Sequence, residues 1–394
     1  MQGMMLSGRS LGRIAIVVLL IIQCILGLLF SLPFLADLLA PGRPVIVSGI
    51  SILTGPIAGA ALGVALASPI IAWGLWMLKR WAPQRTLLLE IMSLVIAALA
   101  FTQPESNRVL LFTLISIEVL ILLCWYADPG VRAVPYLGQS GTSDAQSHAS
   151  KTGSTQRRTR RIRRGIAITL WFIGLILLAI ASVLIHNHPG PWPGEVTFGQ
   201  TVQNLHYWPW IPPLLVFIGT FNNPTPSGIM IGFLFVGMIL LGWYRQAIFF
   251  ALAVGIGNAL DTFIGDYVVR PRPSANLIRV DVPLKYNSFP SGHTCHMMLF
   301  YGFLVFLSFT KPVREWRYHW VLIPLQVFAV LNILLMGYSR VYEGEHWLSD
   351  VLGGYLSGAL WLALFIFLYL FTTNKLEERR ARRRVEKPVQ AQKA

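Results

Sequence analysis

The chain has 394 residues, of which 55% are hydrophobic and only 12% charged, with a formal net charge of +15. A soluble domain carries about 25% charged residues, so this composition excludes an ordinary soluble globular protein. The positive charge sits in short blocks beside apolar runs, where it sets membrane orientation, and this argues against a nucleic-acid partner.

Uninterrupted apolar stretches of about 20 residues recur along the chain. They predict an all-α fold, a polytopic membrane helical bundle of about ten spans. The approximate limits are 12–34, 57–78, 86–103, 108–126, 164–186, 226–244, 246–264, 291–310, 321–338 and 350–372. Arg9 and Arg13 precede the first span and no small-residue cleavage site ends it, so it reads as retained. In the second, Gly55, Gly59, Gly63 and Ala67 recur every four residues, which puts small residues on one helix face for close packing. Glu118 lies near the middle of the fourth. An intramembrane carboxylate is a functional candidate by default, with a paired structural role as the alternative. Cys24, Cys124 and Cys295 fall in or at the ends of spans, form no disulfide or metal-ligand spacing, and read as small buried hydrophobes.

Four spans without nameable chemistry make up an N-terminal region, 1–127. The stretch 128–163 is rich in Ser, Gly, Thr and Gln and reads as a flexible cytoplasmic linker. The run Arg157, Arg158, Arg160, Arg161, Arg163 and Arg164 closes it, a topology anchor and contact for anionic lipid. Six further spans occupy 164–374, and a basic tail over 375–394 continues the last helix into the cytoplasm. The segment 208–221 is apolar but short and contains Pro212 and Pro213, which places it as an interfacial helix or part of a re-entrant turn.

Lys and Arg crowd one set of connections: Arg9 and Arg13, Lys79, Arg80 and Arg85, the arginine run, Arg245, then Lys311, Arg314 and Arg317. The opposite set is poor, with Arg43 and Arg108 in its first two loops and neither Lys nor Arg between Asn187 and Trp210. Both termini are therefore expected in the cytoplasm of a multi-pass cell-membrane protein. The loop 270–290 breaks the pattern. Its Arg270, Arg272, Arg279 and Lys285 lie on the face where positive charge is otherwise rare, which points to an anionic ligand.

Three stretches carry chemistry. His346 and Asp350 are four residues apart, so on a helix they share a face and the carboxylate can orient the ring for nucleophilic attack. Ser339 and Arg340 precede them across a turn containing Gly344, and the planar guanidinium suits phosphate. Pro290-Ser291-Gly292-His293 opens a span, where a hydroxyl and free N–H groups can cradle an anion and His293 can protonate a leaving oxygen. Arg272-Pro273 completes the set. All of it falls on one predicted face of independently assigned spans. Asp261 and Asn258, in the span 246–264 and one and two helical turns before position 265, are candidates to position the arginine loop, with plain helix packing as the alternative.

These stretches resemble the signature of the type 2 phosphatidic acid phosphatase family, whose site is shared with vanadium haloperoxidases. That signature is Lys, six residues, Arg-Pro; then Pro-Ser-Gly-His; then Ser-Arg, five residues, His, three residues, Asp. The second and third parts match at every specified position, and the first matches at Arg272 and Pro273. The resemblance covers about 164–372 and leaves the front half outside. It implies that His346 is the nucleophile, forming a phosphohistidine, that Asp350 orients it and that His293 is the general acid. It implies that Arg272, Arg340, Ser291, Ser339 and the Gly292 backbone hold the phosphoryl oxygens, with no metal and no cofactor. The partners implied are a phospholipid or polyprenyl phosphate substrate and the bilayer, with no nucleic acid. One position departs: the family lysine falls on Gly265, and Lys285 or Arg270 are candidates to replace it. The expected activity is that of a lipid phosphatase at the extracytoplasmic face. Its alternatives are a lipid phosphotransferase with the same site, or a degenerate lipid-binding or transport protein.

Overall fold

The structure is a computed structural model that describes residues 11–39, 54–103, 108–127, 153–316 and 318–391. Of the linker expected over 128–163, residues 128–152 lie outside the described residues, as do Arg9, Arg43 and Arg317, and residues 153–163 are helical rather than a flexible linker. All regular structure among the described residues is helical. In chain order the helices are α1 (Leu11–Leu39), α2 (Thr54–Trp76), α3 (Ala82–Phe101), α4 (Arg108–Ala127), α5 (Gly153–Asn187), α6 (Glu195–Asn204) and α7 (Ile211–Phe221). They continue as α8 (Pro224–Leu240), α9 (Tyr244–Val268), α10 (Gly292–Ser308), α11 (Leu322–Tyr342) and α12 (Leu348–Ala391). The arginine run therefore lies in the first turns of α5, and α12 carries on through most of the basic tail.

Seven of these helices, α1, α2, α3, α5, α9, α11 and α12, are long and apolar enough to cross a membrane, and the pair α7 and α8 adds an eighth if taken as one span. The two remaining expected spans are helices but shorter ones. The apolar part of α4 covers Thr113–Ala127, and α10 has 17 residues. Helix α10 need not match the bilayer, because its side chains are interior: Cys295, Met297, Leu299, Phe300 and Phe303 are buried.

The chain forms two compact units. One contains the described residues of 1–148 with 221–247, and the other those of 149–220 with 248–394. In the first, α2 packs on α1, α3 and α8. A Cβ on Gly59 would lie 1.8 Å from the Ile229 carbonyl oxygen, and one on Gly232 would lie 2.0 Å from that of Pro56. The two backbones thus touch directly. In lipid, where apolar burial gives no net drive, such contact is what holds helices together. Gly59→Leu is expected to cost at least about 3 kcal/mol by overpacking. It should appear as loss of monodisperse protein in detergent, while Gly237→Leu, at a position with no atom within 4 Å, stays monodisperse.

In the second unit α10 packs against both α11 and α12, and α5 lies on α12. The loop joining α9 to α10, the segment joining α5 to α6 and the turn joining α11 to α12 meet at one end of this bundle. Arg270, in the first of these, bonds to Pro189 in the second, to Glu195 at the start of α6 and to Asp350 in the first turn of α12.

Candidate active site

The turn from α11 to α12 places His346. Gly344 adopts φ +71°, a backbone conformation that L side chains rarely take, and a Cβ there would lie 1.9 Å from the Arg279 carbonyl oxygen. The turn closes through the Glu345 and His346 N–H groups, which both donate to the Arg340 carbonyl oxygen at 3.0 and 3.3 Å. Arg340 and His346 are thereby held side by side. Both are about 1% exposed.

His346 Nδ1 lies 2.8 Å from the Ser288 carbonyl oxygen. A carbonyl only accepts, so Nδ1 carries the hydrogen and Nε2 keeps its lone pair. Arg272 Nη1 donates to that Nε2 at 3.2 Å and to the Glu345 carbonyl oxygen at 2.9 Å. Arg272 is fixed from behind by the Tyr286 carbonyl oxygen, 3.0 Å from Nε. Burial first, then the Arg272 guanidinium, hold the His346 imidazole below its usual range. It is therefore neutral at pH 7, with its Nε2 lone pair turned to Arg272.

Asp350 acts one step further back than the four-residue spacing predicts. Its Oδ2 stands 3.8 Å from His346 Nδ1, because α12 begins at Leu348 and His346 precedes the helix. Oδ2 instead accepts from the Ser288 hydroxyl at 2.5 Å and the Trp347 N–H at 2.9 Å. Ser288 thus relays the carboxylate to the ring. Oδ1 pairs with Arg270 at 2.6 Å.

Arg270 is committed wholly to this support. Nε donates to the Pro189 carbonyl oxygen, Nη1 to Ser349 Oγ and Asp350, and Nη2 to the Gly190 carbonyl oxygen and Glu195. A guanidinium has five N–H donors, so none remains for a ligand. Lys285 is exposed in its loop. A Cβ on Gly265 would meet only Phe289 O at 3.4 Å and Asn287 Cβ at 3.8 Å, so the empty lysine position adjoins the segment that flanks His346.

Arg340 is gripped by carboxylates: Nη2 reaches Glu343 at 2.7 Å and Nη1 reaches Glu345 at 2.5 Å. Ser339 stands behind it. Its hydroxyl lies 2.9 Å from the Leu215 carbonyl oxygen, 2.7 Å from Glu343 and 3.1 Å from Arg340 Nη2. Ser339 is therefore engaged in holding Arg340 rather than turned to a phosphoryl group. Arg340 Nε has no partner. Burial, opposed by Arg340, pushes the Glu343 carboxyl up to about 7. Gly219 of α7 leaves room for this grip, since a Cβ there would lie 1.8 Å from Arg340 Nη2.

Ser291 precedes α10 in extended conformation, with its N–H donating to the Asp350 carbonyl oxygen at 3.0 Å. Its hydroxyl is buried and has no partner, and Gly292 beside it is exposed. A ring nitrogen of His293, a ring nitrogen of His346 and a Glu345 oxygen all lie within 4.8 Å of one another. These three are also the group that a metal ion would choose, but Arg272 already donates to His346 Nε2 and Arg340 already holds Glu345. Asn258 bonds His296 Nδ1 at 2.8 Å, so it ties α9 to α10 rather than steering the arginine loop.

His346, His293 and Arg272 therefore lie together, with Arg340 next to His346 across the turn, Ser291 and Gly292 beside His293 in the chain, and Asp350, Arg270 and Ser339 bonded behind. Sequence reading misses Ser288, Glu195, Ser349 and the pair Glu343 and Glu345. Glu195 takes the Ser349 N–H and hydroxyl on one oxygen and Arg270 on the other. It sits about 150 residues from Ser349, so no spacing rule reveals it. Glu345 adjoins His346 and was open to notice.

The family model of the PAP2 superfamily matches residues 246–375. Phosphatidylglycerophosphatase B of Bacillus subtilis (strain 168) is 30% identical over 184 residues, which cover 46% of this chain and 75% of that protein. An undecaprenyl-diphosphatase of Sulfolobus acidocaldarius is 25% identical over 169 residues, 43% of this chain and 66% of that protein. Among solved structures, a transmembrane PAP2-type phosphatidylglycerolphosphate phosphatase from Bacillus subtilis aligns over 52% of this chain and 96% of its own, at 22% identity and a TM-score of 0.42.

Proposed function

This chain belongs to the PAP2 superfamily, and from that premise we propose that it hydrolyses a phosphomonoester or pyrophosphate on a lipid through a phosphohistidine intermediate. The observation that carries this reading is His346, whose Nδ1 is tied to the Ser288 carbonyl oxygen so that Nε2 keeps its lone pair beside Arg272, with a ring nitrogen of His293 within 4.8 Å of one of its own. The Nε2 lone pair attacks phosphorus and the bond from phosphorus to the lipid oxygen breaks. His293 gives that oxygen its proton. Water then attacks the phosphohistidine, His293 takes a proton from the water, and the P–N bond breaks to release phosphate. Arg272, Arg340, the Ser291 hydroxyl and the Gly292 N–H stabilise the charge that builds on the phosphoryl oxygens, the task a metal performs in other phosphoryl-transfer sites. A site at the end of a bundle suits a head group at the interface with its tails in lipid. The Lys and Arg asymmetry supports an extracytoplasmic site with both termini in the cytoplasm.

The test is phosphate release by the purified chain, with chelator present. The panel is undecaprenyl pyrophosphate, phosphatidic acid and phosphatidylglycerophosphate. Release from one of them in chelator supports the reading, and no release from any rejects it.

Two further outcomes are expected. A depressed histidine pKa extends the neutral form to lower pH, so the acid limb of kcat/KM should fall below pH 6.5, the ordinary imidazole value. A limb centred above 6.5 would count against His346 as the group that must be neutral. Gly265→Lys should raise kcat/KM at least about tenfold, the effect of one charge-assisted bond to phosphate of roughly 1.5–3 kcal/mol. Assay in mixed micelles against the preferred lipid checks this, and an unchanged or lower value refutes it.

A further inference from the structure

The first unit holds a second polar constellation, buried among α1, α2, α3 and α4, with at least one residue from each. Gln23 Nε2 lies 3.3 Å from Glu90 Oε2 and 3.2 Å from Ser93 Oγ. The Ser93 hydroxyl donates to Glu118 Oε1, and that of Ser68 donates to Gln23 Oε1 at 3.2 Å. Glu90 is 0% exposed and Glu118 1%. Two oxygens are left over: Glu90 Oε1 and Glu118 Oε2 have no hydrogen-bond partner among the described residues. Glu118, Gln23 and Ser93 line one end of a cavity whose remaining wall is apolar, including Phe30, Ile96 and Leu111.

Two carboxylates at this depth need neutralising, because each buried unpaired charge costs several kcal/mol. No Lys or Arg among the described residues forms a salt bridge with either. The oxygens that these hydrogen bonds link are hard: two carboxylates, two hydroxyls and one amide carbonyl. Hard oxygens are what a small, hard cation takes, and five are fewer than the roughly 6–8 that Ca²⁺ takes. We propose that Glu90 and Glu118, holding one proton between them, form with Ser93, Ser68 and Gln23 an intramembrane binding site for a small monovalent cation, Na⁺, whose charge together with that proton balances the two carboxylates. The site lies outside the residues matched by the family model, so the front unit has a binding function independent of phosphate chemistry.

The experiment uses the full chain in detergent at pH 8, with choline chloride replaced stepwise by NaCl at constant ionic strength. The unfolding midpoint and bound ²²Na⁺ are both read. The expected result is a saturable rise in the midpoint and one bound ²²Na⁺ per chain, both lost in Glu118→Gln and in Glu90→Gln and both retained in His346→Ala. If a glutamine variant does not fold, Ser93→Ala serves instead: it removes one ligand and should weaken ²²Na⁺ binding without unfolding the chain. Absence of bound ²²Na⁺ in the unsubstituted chain would overturn the proposal. A midpoint that follows pH but ignores Na⁺ would also overturn it, and would leave a permanently protonated carboxyl pair.

Discussion

His346→Ala is expected to lower kcat by at least about 10⁴-fold while leaving the unfolding midpoint within a few degrees of the unsubstituted chain. The size follows from the role. Loss of the attacking atom removes the covalent route, whereas loss of a positioning group only weakens it. The ring also gives up little structure, since its one close bond from Nδ1 ends on the Ser288 carbonyl oxygen. Acid-labile label from a ³²P-lipid should appear on the unsubstituted chain in a rapid quench and be missing from the variant. His293→Gln should separate the two halves of the reaction. With a lipid leaving group it should be almost inactive, and with p-nitrophenyl phosphate, whose leaving group needs no proton, it should keep a burst of phosphoenzyme formation. Turnover in His346→Ala within tenfold of the unsubstituted chain would refute the phosphohistidine.

Arg270→Met is expected to destabilise the chain by about 3–5 kcal/mol, the cost of leaving buried partners of an ion pair without their cation. Arg270 lies between Asp350 at 2.6 Å and Glu195 at 2.8 Å, and both carboxylates are at most 7% exposed. The ordinary substitution of lysine should not rescue it. One ammonium cannot satisfy five acceptors spread over the α5–α6 segment, α6 and α12. Activity should fall with stability even at temperatures where the variant is folded, because Asp350 fixes Ser288 and Ser288 fixes His346. Thermal unfolding followed beside kcat at 10 °C checks both parts. A variant that matches the unsubstituted chain in both would show that Arg270 is merely packed.

This second case also shows where reading the chain stops. Arg270 and Lys285 were equal candidates to replace the missing lysine, because both stand in the same basic loop. Folding separates them: Arg270 turns inward and spends all its donors, and Lys285 stays exposed. Ser339 and Arg340 are adjacent in sequence, yet one supports the other rather than sharing its ligand.

The sequence by itself determined that the chain is helical and membrane-embedded, since long apolar runs can satisfy their backbone groups in lipid only as helices. It also singled out the candidate site residues, because Pro290-Ser291-Gly292-His293 and the spacing of Arg340, His346 and Asp350 are local patterns. Local spacing also exposed the small-residue face of α2, and Glu118 as unusual. The tertiary structure alone decided the partners. Glu195 reaches Ser349, Ser288 stands between Asp350 and His346, and Gln23 reaches Ser93, across 154, 62 and 70 residues. Hydrogen bonds act over about 3 Å, and no periodicity in the chain encodes which distant carbonyl or hydroxyl arrives within that distance. Only the packed helices bring them there.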